Sequence, residues 1–470
     1  STVIVDRTAP TLGINISSNN SVNTLAKEGD VVTLTISADE TLNGPPSIVL
    51  SAEPDPTISP QAQSSDYTAT YSPTSAAGDP EQAMSFQISN VKDRAGNSLS
   101  TITETSDASS VTFDNTAPVV QTITSYSNNG ITTSRAKAGD RVTISFSSNE
   151  EIQTPTVLLA GSASSEENSN GDKVTWTASR LMDAGDSDSD NDNPVIVFTI
   201  NYTDLAGNTG SQKTQANLES NSGVVFDNTA PNEPTVVVAS SNTTNASYAV
   251  GGNIVSLTIT SNESLLDDTD GDDIPDGVYD ATIAGRPVNG VGVENITRVS
   301  GTEFTAQVQL TGSEPSNPVT YSFSMMDLTG NTTDVVANTS NILIDNASPS
   351  ITPVNIVSNG INPLYAKVGD VVTLSFNSDE DLSGVVGHTP EATIAANNAT
   401  PVLTTGDVSD RTAFQSTLEM TSAIDEDVVP FTIEVEDLAG NSVSVNSSTN
   451  GSSVTFDKTR PTANYVTMTS

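Results

Sequence analysis

Phe198-Thr199-Ile200-Asn201-Tyr202-Thr203-Asp204-Leu205-Ala206-Gly207-Asn208 reads as a strand running into a tight turn. Phe198, Ile200 and Tyr202 alternate with polar residues, the period of a half-buried β-strand. The turn that follows carries a Gly-Asn pair, which tolerates the positive φ that a hairpin turn requires. The same turn recurs as Asp93-Arg94-Ala95-Gly96-Asn97, Asp327-Leu328-Thr329-Gly330-Asn331 and Asp437-Leu438-Ala439-Gly440-Asn441. Phe431, Ile433 and Val435 repeat the alternation, and one extra residue ahead of Asp93 predicts a bulge there.

Two further markers keep the same phase. A strand followed by Asp-x-x-x-Pro starts its motif at Asp6, Asp114, Asp227, Asp345 and Asp457, about 110 residues apart, the size of one immunoglobulin-like sandwich. Gly29-Asp30, Gly139-Asp140, Gly252-Asn253 and Gly369-Asp370 precede strands that end in Asp39-Glu40, Asn149-Glu150, Asn262-Glu263 and Asp379-Glu380. The markers divide the chain into four repeats, 7–114, 115–227, 228–345 and 346–457. Residues 1–6 read as the last strand of a preceding repeat and 458–470 as the first of a following one, so the segment is expected to be a window from a longer array.

Composition agrees with an all-β chain. Only 34% of the 470 residues are hydrophobic, yet they fall in alternating runs such as Val371-Val372-Thr373-Leu374-Ser375-Phe376. Ser, Thr, Asn, Asp and Gly fill the spaces between runs and supply turn chemistry. With 58 acidic against 16 basic residues the net charge is −42, which excludes a nucleic-acid binder and disfavours an anionic membrane surface. Regular strand patterning at such a charge implies folded domains whose self-repulsion is relieved by cations, and calcium, a hard ion preferring carboxylate oxygens, is the natural one. Cysteine is absent, so disulfides and thiolate metal sites are excluded. No apolar run reaches the 18 residues of a membrane span, so any export signal or anchor is expected outside this segment.

The three markers resemble the bacterial immunoglobulin-like repeats of giant calcium-binding surface adhesins, in which Asp-Asn-Thr-Ala-Pro linkers and Asp-x-Ala-Gly-Asn turns recur domain after domain. The resemblance covers essentially the whole chain. It implies a seven-stranded antiparallel β-sandwich for each of the four tandem repeats, export to the extracellular cell surface, and a spacer or adhesive role; the absence of Cys, the single His and the uniform repetition of the acidic groups lead to the expectation of no enzymatic activity. Its partners would be neighbouring repeats, other copies in a fibre or layer, and a surface ligand held outside this segment. The fold names no ligand, because it hosts many functions.

In such a sandwich the acidic pair, the Asp-x-Ala-Gly-Asn turn and the incoming linker meet at one pole. The expected calcium ligands are Asp6, Asp39, Glu40, Asp93 and Asn97 in the first repeat, and Asp114, Asn149, Glu150, Asp204 and Asn208 in the second. Asp227, Asn262, Glu263, Asp327 and Asn331 follow in the third, then Asp345, Asp379, Glu380, Asp437 and Asn441 in the fourth. Carboxylates this close repel one another, and a divalent ion taking six to eight oxygens converts the repulsion into a cross-link. The alternative is that each Asp only caps a turn. Asp268, Asp270, Asp272 and Asp276 add a loop resembling the calcium loops of thrombospondin type 3 repeats, although Asp273 and Tyr279 replace the usual Gly and late acidic ligand. Asp186, Asp188, Asp190 and Asp192 alternate similarly.

Other residues read as structural. Trp176 falls in register with Tyr67, Phe304 and Phe414 and is expected in a core, while His388 is expected at the surface. Carboxylate pairs can hydrolyse glycosides, but an active site occurs once and these recur in every repeat. The leading reading is a calcium-stiffened stalk. Its rivals are a subunit of an assembled filament, sheath or surface layer, and, more remotely, an accessory region of a carbohydrate-active enzyme.

Overall fold

A strand with one apolar face must bury that face against a second layer, and alternating strands therefore pair into sandwiches. The computed structural model describes residues 5–51, 56–74, 81–168, 171–187, 195–269, 275–288, 295–404 and 409–463, with the side chains of 167 and 168 excluded. It divides into two compact units, 1–229 and 230–470, each containing two immunoglobulin-like sandwiches. The expected flanking strands at 2–4 and 464–468 lie outside the described residues.

The first repeat contains β1 (Leu12–Ser18), β2 (Leu25–Ala26), β3 (Val32–Ala38), β4 (Ser47–Leu50), β5 (Thr57–Ser59), β6 (Asp66–Tyr71), β7 (Phe86–Ser89) and β8 (Thr112–Phe113). One layer has the order β1-β3-β6-β5, antiparallel throughout. The other contains the antiparallel pair β4 and β7, and β2 closes the edge by running parallel to β8. Between them lies a core that includes Ile14, Leu34, Ile36, Leu50, Tyr67, Ile88 and Phe113. Each later repeat has its own core cluster and the same parallel edge pair: Arg135–Ala136 with Val225–Phe226, Tyr248–Ala249 with the end of Thr332–Ile344, and Tyr365–Ala366 with Thr455–Phe456.

Tyr67, Trp176, Phe304 and Phe414 occupy one register, opposite Ile36, Phe146, Ile259 and Phe376, and all four are buried. The Trp176 indole N–H donates to the Lys173 carbonyl at 3.1 Å, so its polar edge is satisfied inside the core. Asn90 takes φ 56° just before buried Val91, which is how the extra residue ahead of Asp93 is absorbed without turning the strand inside out. In the recurring turn Gly takes the positive φ and the following Asn does not: Gly207 has φ 92°. Asp204 N–H reaches Asn208 O at 3.1 Å, closing a three-residue hairpin loop with glycine at its left-handed position.

Candidate metal centres at the sandwich poles

The linker aspartate is fixed from behind by the core. Phe113, Phe226, Ile344 and Phe456 are buried, each worth about 1.5–3 kcal/mol relative to exposure. The next residue is Asp114, Asp227, Asp345 or Asp457, whose backbone N–H donates to Ala26, Ala136, Ala249 or Ala366 O at 2.9–3.0 Å. Its side chain then starts a turn: Asp6, Asp114, Asp227 and Asp345 Oδ1 accept the N–H two residues on, at 3.0–3.2 Å. One carboxylate oxygen is thereby committed to the linker.

In the first unit Glu40 follows the end of β3 and Asp93 begins the turn after β7. Leu42, fully buried, forms a backbone bridge to Asp93 and so ties the two loops together; Ile152 does the same with Asp204. Asp6, Glu40 and Asp93 each bring one oxygen within 4.8 Å of the others, and so do Asp114, Glu150 and Asp204. Asp93 Oδ1 accepts the Asn97 N–H at 2.8 Å and Oδ2 accepts Asn97 Nδ2 at 2.7 Å. Burial alone would raise the Asp93 carboxyl, but these bonds and those from the Gly96 and Ala95 backbone hold it below its ordinary value. The turn is thus capped as well as acidic.

The glutamates are not compensated to the same extent: a bond from Asn149 lowers Glu150, but burial and the neighbouring carboxylates outweigh it. Burial, then Asp93, Asp6 and Asp39, pushes the Glu40 carboxyl up. Burial followed by Asp114 and Asp204 does the same to Glu150, and burial with Asp204 and Glu81 raises Asp114. In the second unit Asp345, Glu380 and Asp437 form the same triad within 4.8 Å. There burial, then Asp437, Asp345 and Asp379, pushes Glu380 up to about 7. Leu382, fully buried, bridges to Asp437.

The remaining expected residues divide by role. The first member of each acidic pair holds the start of its repeat: Asp39 Oδ1 accepts Thr11 N–H at 2.8 Å, Asn149 Oδ1 accepts Val119 N–H at 2.6 Å, Asn262 Oδ1 accepts Asn232 N–H at 3.2 Å, and Asp379 Oδ1 accepts Ser350 N–H at 2.7 Å. The turn asparagines donate back to their aspartates. Asn97, Asn208 and Asn441 Nδ2 also reach Thr8, Asp114 and Asp345 O at 3.0–3.1 Å, locking linker to turn. In the third repeat Asp327 Oδ1 accepts from Thr329, Gly330 and Asn331 N–H at 2.7–2.9 Å and Oδ2 from Asn331 Nδ2 at 2.8 Å. Glu263 and Asp327 belong to the second unit and Asp227 to the first.

Asp270 and Asp272 lie outside the described residues, as do Asp188, Asp190 and Asp192. Asp276 Oδ2 accepts the Thr269 N–H at 2.9 Å, and Asp268 N–H donates to Asp267 Oδ1 at 3.0 Å. Asp186 is committed to Arg180, whose Nη1 and Nη2 reach its oxygens at 2.8 and 2.9 Å. His388 is half-buried, with Nδ1 2.5 Å from Glu436 Oε2.

Two features escaped sequence reading. Leu42, Ile152, Leu265 and Leu382 each follow the pair's glutamate by two residues, a regularity visible in the chain but readable as ordinary core. The second is a latch between consecutive repeats within each unit. Asn20 Nδ2 donates to Ala206 O at 2.9 Å and Lys27 Nζ to Gly207 O at 2.5 Å; Asn242 Nδ2 reaches Ala439 O at 2.9 Å. A Cβ on Gly207 would stand 3.2 Å from Lys27 Nζ, the far end of a flexible side chain, so it is the positive φ that calls for glycine there.

The donor sets fit a hard cation. Oxygens within 4.8 Å of one another can share an ion with bonds of about 2.3–2.6 Å, and three carboxylates supply charge without nitrogen or sulfur. Among the described residues no Lys, Arg or His forms a salt bridge with Asp6, Glu40, Asp93, Asp114, Glu150, Asp204, Asp345, Glu380 or Asp437. No helix among them is long and apolar enough to cross a membrane.

No protein-family model matches the chain, and no curated protein matches it. Among solved structures it is similar to a fragment from work on host cell surface retention of a 1.5-MDa bacterial ice-binding adhesin, with 18% identity and a TM-score of 0.41 over 72% of this chain and 98% of that one. It is also similar to a tetra-tandem repeat from the extending region of a large adhesion protein, with 13% identity and a TM-score of 0.31 over 96% of this chain and all of that one. Titin domains I67–I69 match at 10% identity and a TM-score of 0.33, over 73% of this chain and all of theirs. These likenesses concern tandem immunoglobulin-like architecture alone.

Proposed function

We propose that this chain is an extracellular, non-enzymatic spacer of a surface adhesin or fibre, whose joints between repeats are stiffened by calcium. The observation that carries the reading is the repeated triad, in which the linker carboxylate of one repeat meets two loop carboxylates of the next: Asp114 with Glu150 and Asp204, and Asp345 with Glu380 and Asp437. A cation held there ties the linker to the pole of the following sandwich. Repetition at one phase fits a mechanical element better than a catalyst, which needs a single differentiated site. The acidity of −42 favours cation loading along the chain.

The test is calorimetric melting of the full chain in calcium, in magnesium and in chelator. Calcium should raise the transitions by mass action, and magnesium much less, because it demands small octahedral sites. Superimposable curves in calcium and chelator would refute the reading.

A further inference from the structure

The first strand of each repeat lies at a sheet edge, so its outward N–H and C=O groups need a cover. In the first, second and fourth repeats the chain supplies one, from the segment between the Gly-Asn turn and the next linker. Ser106 N–H donates to Ile14 O at 3.0 Å while Ser106 Oγ accepts the Ile14 N–H at 2.8 Å. Thr449 does the same to Val354, at 3.1 and 2.8 Å. In the second repeat Glu219 N–H reaches Ile123 O at 2.9 Å, and Ser125 N–H reaches Ser222 O at 3.0 Å.

The third repeat has no such cover among the described residues. Its segment is the shortest: Asn331 precedes Asp345 by 14 residues, where the corresponding spacings in the first, second and fourth repeats are 17, 19 and 16. Without the length to detour, Thr332–Ile344 stays on Pro318–Met326, from Met326 opposite Thr332 to Pro318 opposite Leu343. The first strand, Thr235–Ser240, therefore pairs on one side only, with Ile254–Thr260. Val236 and Val238 take the register of Ile14 and Ile16, so their backbone groups point outward, and no hydrogen bond among the described residues reaches them there. Their side chains are only half-buried, whereas Ile14, Ile16, Val354 and Ile356 are buried. Val237, between them, is 59% exposed and stands where the other repeats have Asn15, Thr124 and Asn355.

We infer that this edge pairs with the same edge of a second copy of the chain, antiparallel about Val237. Charge selects that occupant. No charged residue lies between Glu233 and Glu263 in a chain of net charge −42, so two copies meet here with little local repulsion. The strand is also self-complementary. About a twofold axis at Val237, Val236 of each copy exchanges N–H···O bonds with Val238 of the other, and the two Val237 side chains meet as a non-hydrogen-bonded pair with Cα atoms about 4.5 Å apart. Cross-strand pairs of β-branched side chains are favourable, and the strand carries none of the charges that guard an edge against pairing. In this register Glu233 falls opposite Ser241 of the other copy and away from its own equivalent. The contact needs no calcium.

The chain has no cysteine, so Val237→Cys introduces a single thiol. Facing cysteines in such a pair fall within the Cα separation of about 4.4–6.8 Å that a disulfide spans. Mild oxidation of the full chain should convert V237C to a covalent dimer, read on a non-reducing gel, at least about tenfold faster than T124C, whose strand edge is covered. Sedimentation velocity of the parent, in chelator and about 0.15 M salt to screen the net charge, should show a dimer that grows with concentration. Val237→Lys sets a like charge against itself at an exposed position and should weaken that dimer at least about tenfold. A parent that stays monomeric, a V237K variant that dimerises as the parent does, or equal cross-linking of the two cysteine variants overturns the inference. None of these results bears on the calcium reading, which the melting curves test separately.

Discussion

Replacing Glu380 by Gln keeps the side chain's shape and removes one of three converging charges. At 4.8 Å and an effective dielectric of about 20, two carboxylates repel by about 3.5 kcal/mol. Glu380 is only half-buried, so solvent screening reduces this to about 1 kcal/mol for each of its neighbours Asp345 and Asp437. In chelator, E380Q should therefore stabilise the fourth repeat by about 2 kcal/mol, a rise in Tm of about 8 °C for a domain of this size. In calcium the balance changes. At one hundred times its Kd, calcium adds about 2.7 kcal/mol to the parent; a tenfold loss of affinity on removing one ligand leaves about 1.4 kcal/mol. Scanning calorimetry of parent and variant, each with and without calcium, measures both quantities. A lower Tm for E380Q in chelator would mean that Glu380 is satisfied where it stands, and an unchanged calcium increment would mean that it is no ligand; either result refutes the reasoning.

Because Glu380 is raised to about 7 from an ordinary 4.5, its contribution to stability in chelator is full below about pH 4.5 and is lost as pH rises through 7. The melting temperature in chelator should thus fall between pH 5 and 8, and E380Q should flatten that fall. Asp107 behaves oppositely: bonds from Asn15 Nδ2 and Ser109 hold it at about 2, so its contribution persists above pH 3.8 and is lost as pH falls towards 2. Chemical denaturation of D107N against the parent should show a difference at pH 5 that shrinks by pH 2. Leu382→Ala, at a fully buried position, should cost about 3 kcal/mol by urea denaturation and also weaken calcium binding, since Leu382 joins the loop of Glu380 to Asp437.

The strands and the repeat were legible because both rest on local period: one apolar residue in two along each strand, and one motif set in each sandwich. The convergence of Asp114, Glu150 and Asp204 was legible too, since a fixed fold brings fixed loops to one pole. What the chain did not reveal is how each acidic pair divides its labour. Asp39 and Asn149 cap the incoming backbone, while Glu40 and Glu150 join the carboxylates. Spacing cannot encode that. Nor could it reveal the pairing of Asn20 with Ala206 or Arg135 with Asp227, because each joins residues far apart in sequence through geometry that only assembled sandwiches define.

The same geometry separates folding from stiffening. Asp114, Asp227, Asp345 and Asp457 each follow a buried Phe or Ile by one residue and are tied through their backbone to the edge strand, so their positions do not depend on a cation. Within each unit the latch from Asn20 and Lys27, or from Asn242, holds the following turn by hydrogen bonds to carbonyls, which a chelator leaves intact. On the proposed calcium reading, cation removal would therefore return charge repulsion to a joint that is already assembled. The expected response is a looser joint between folded sandwiches, not unfolded ones, because the cores the joint connects hold no member of the acidic triad.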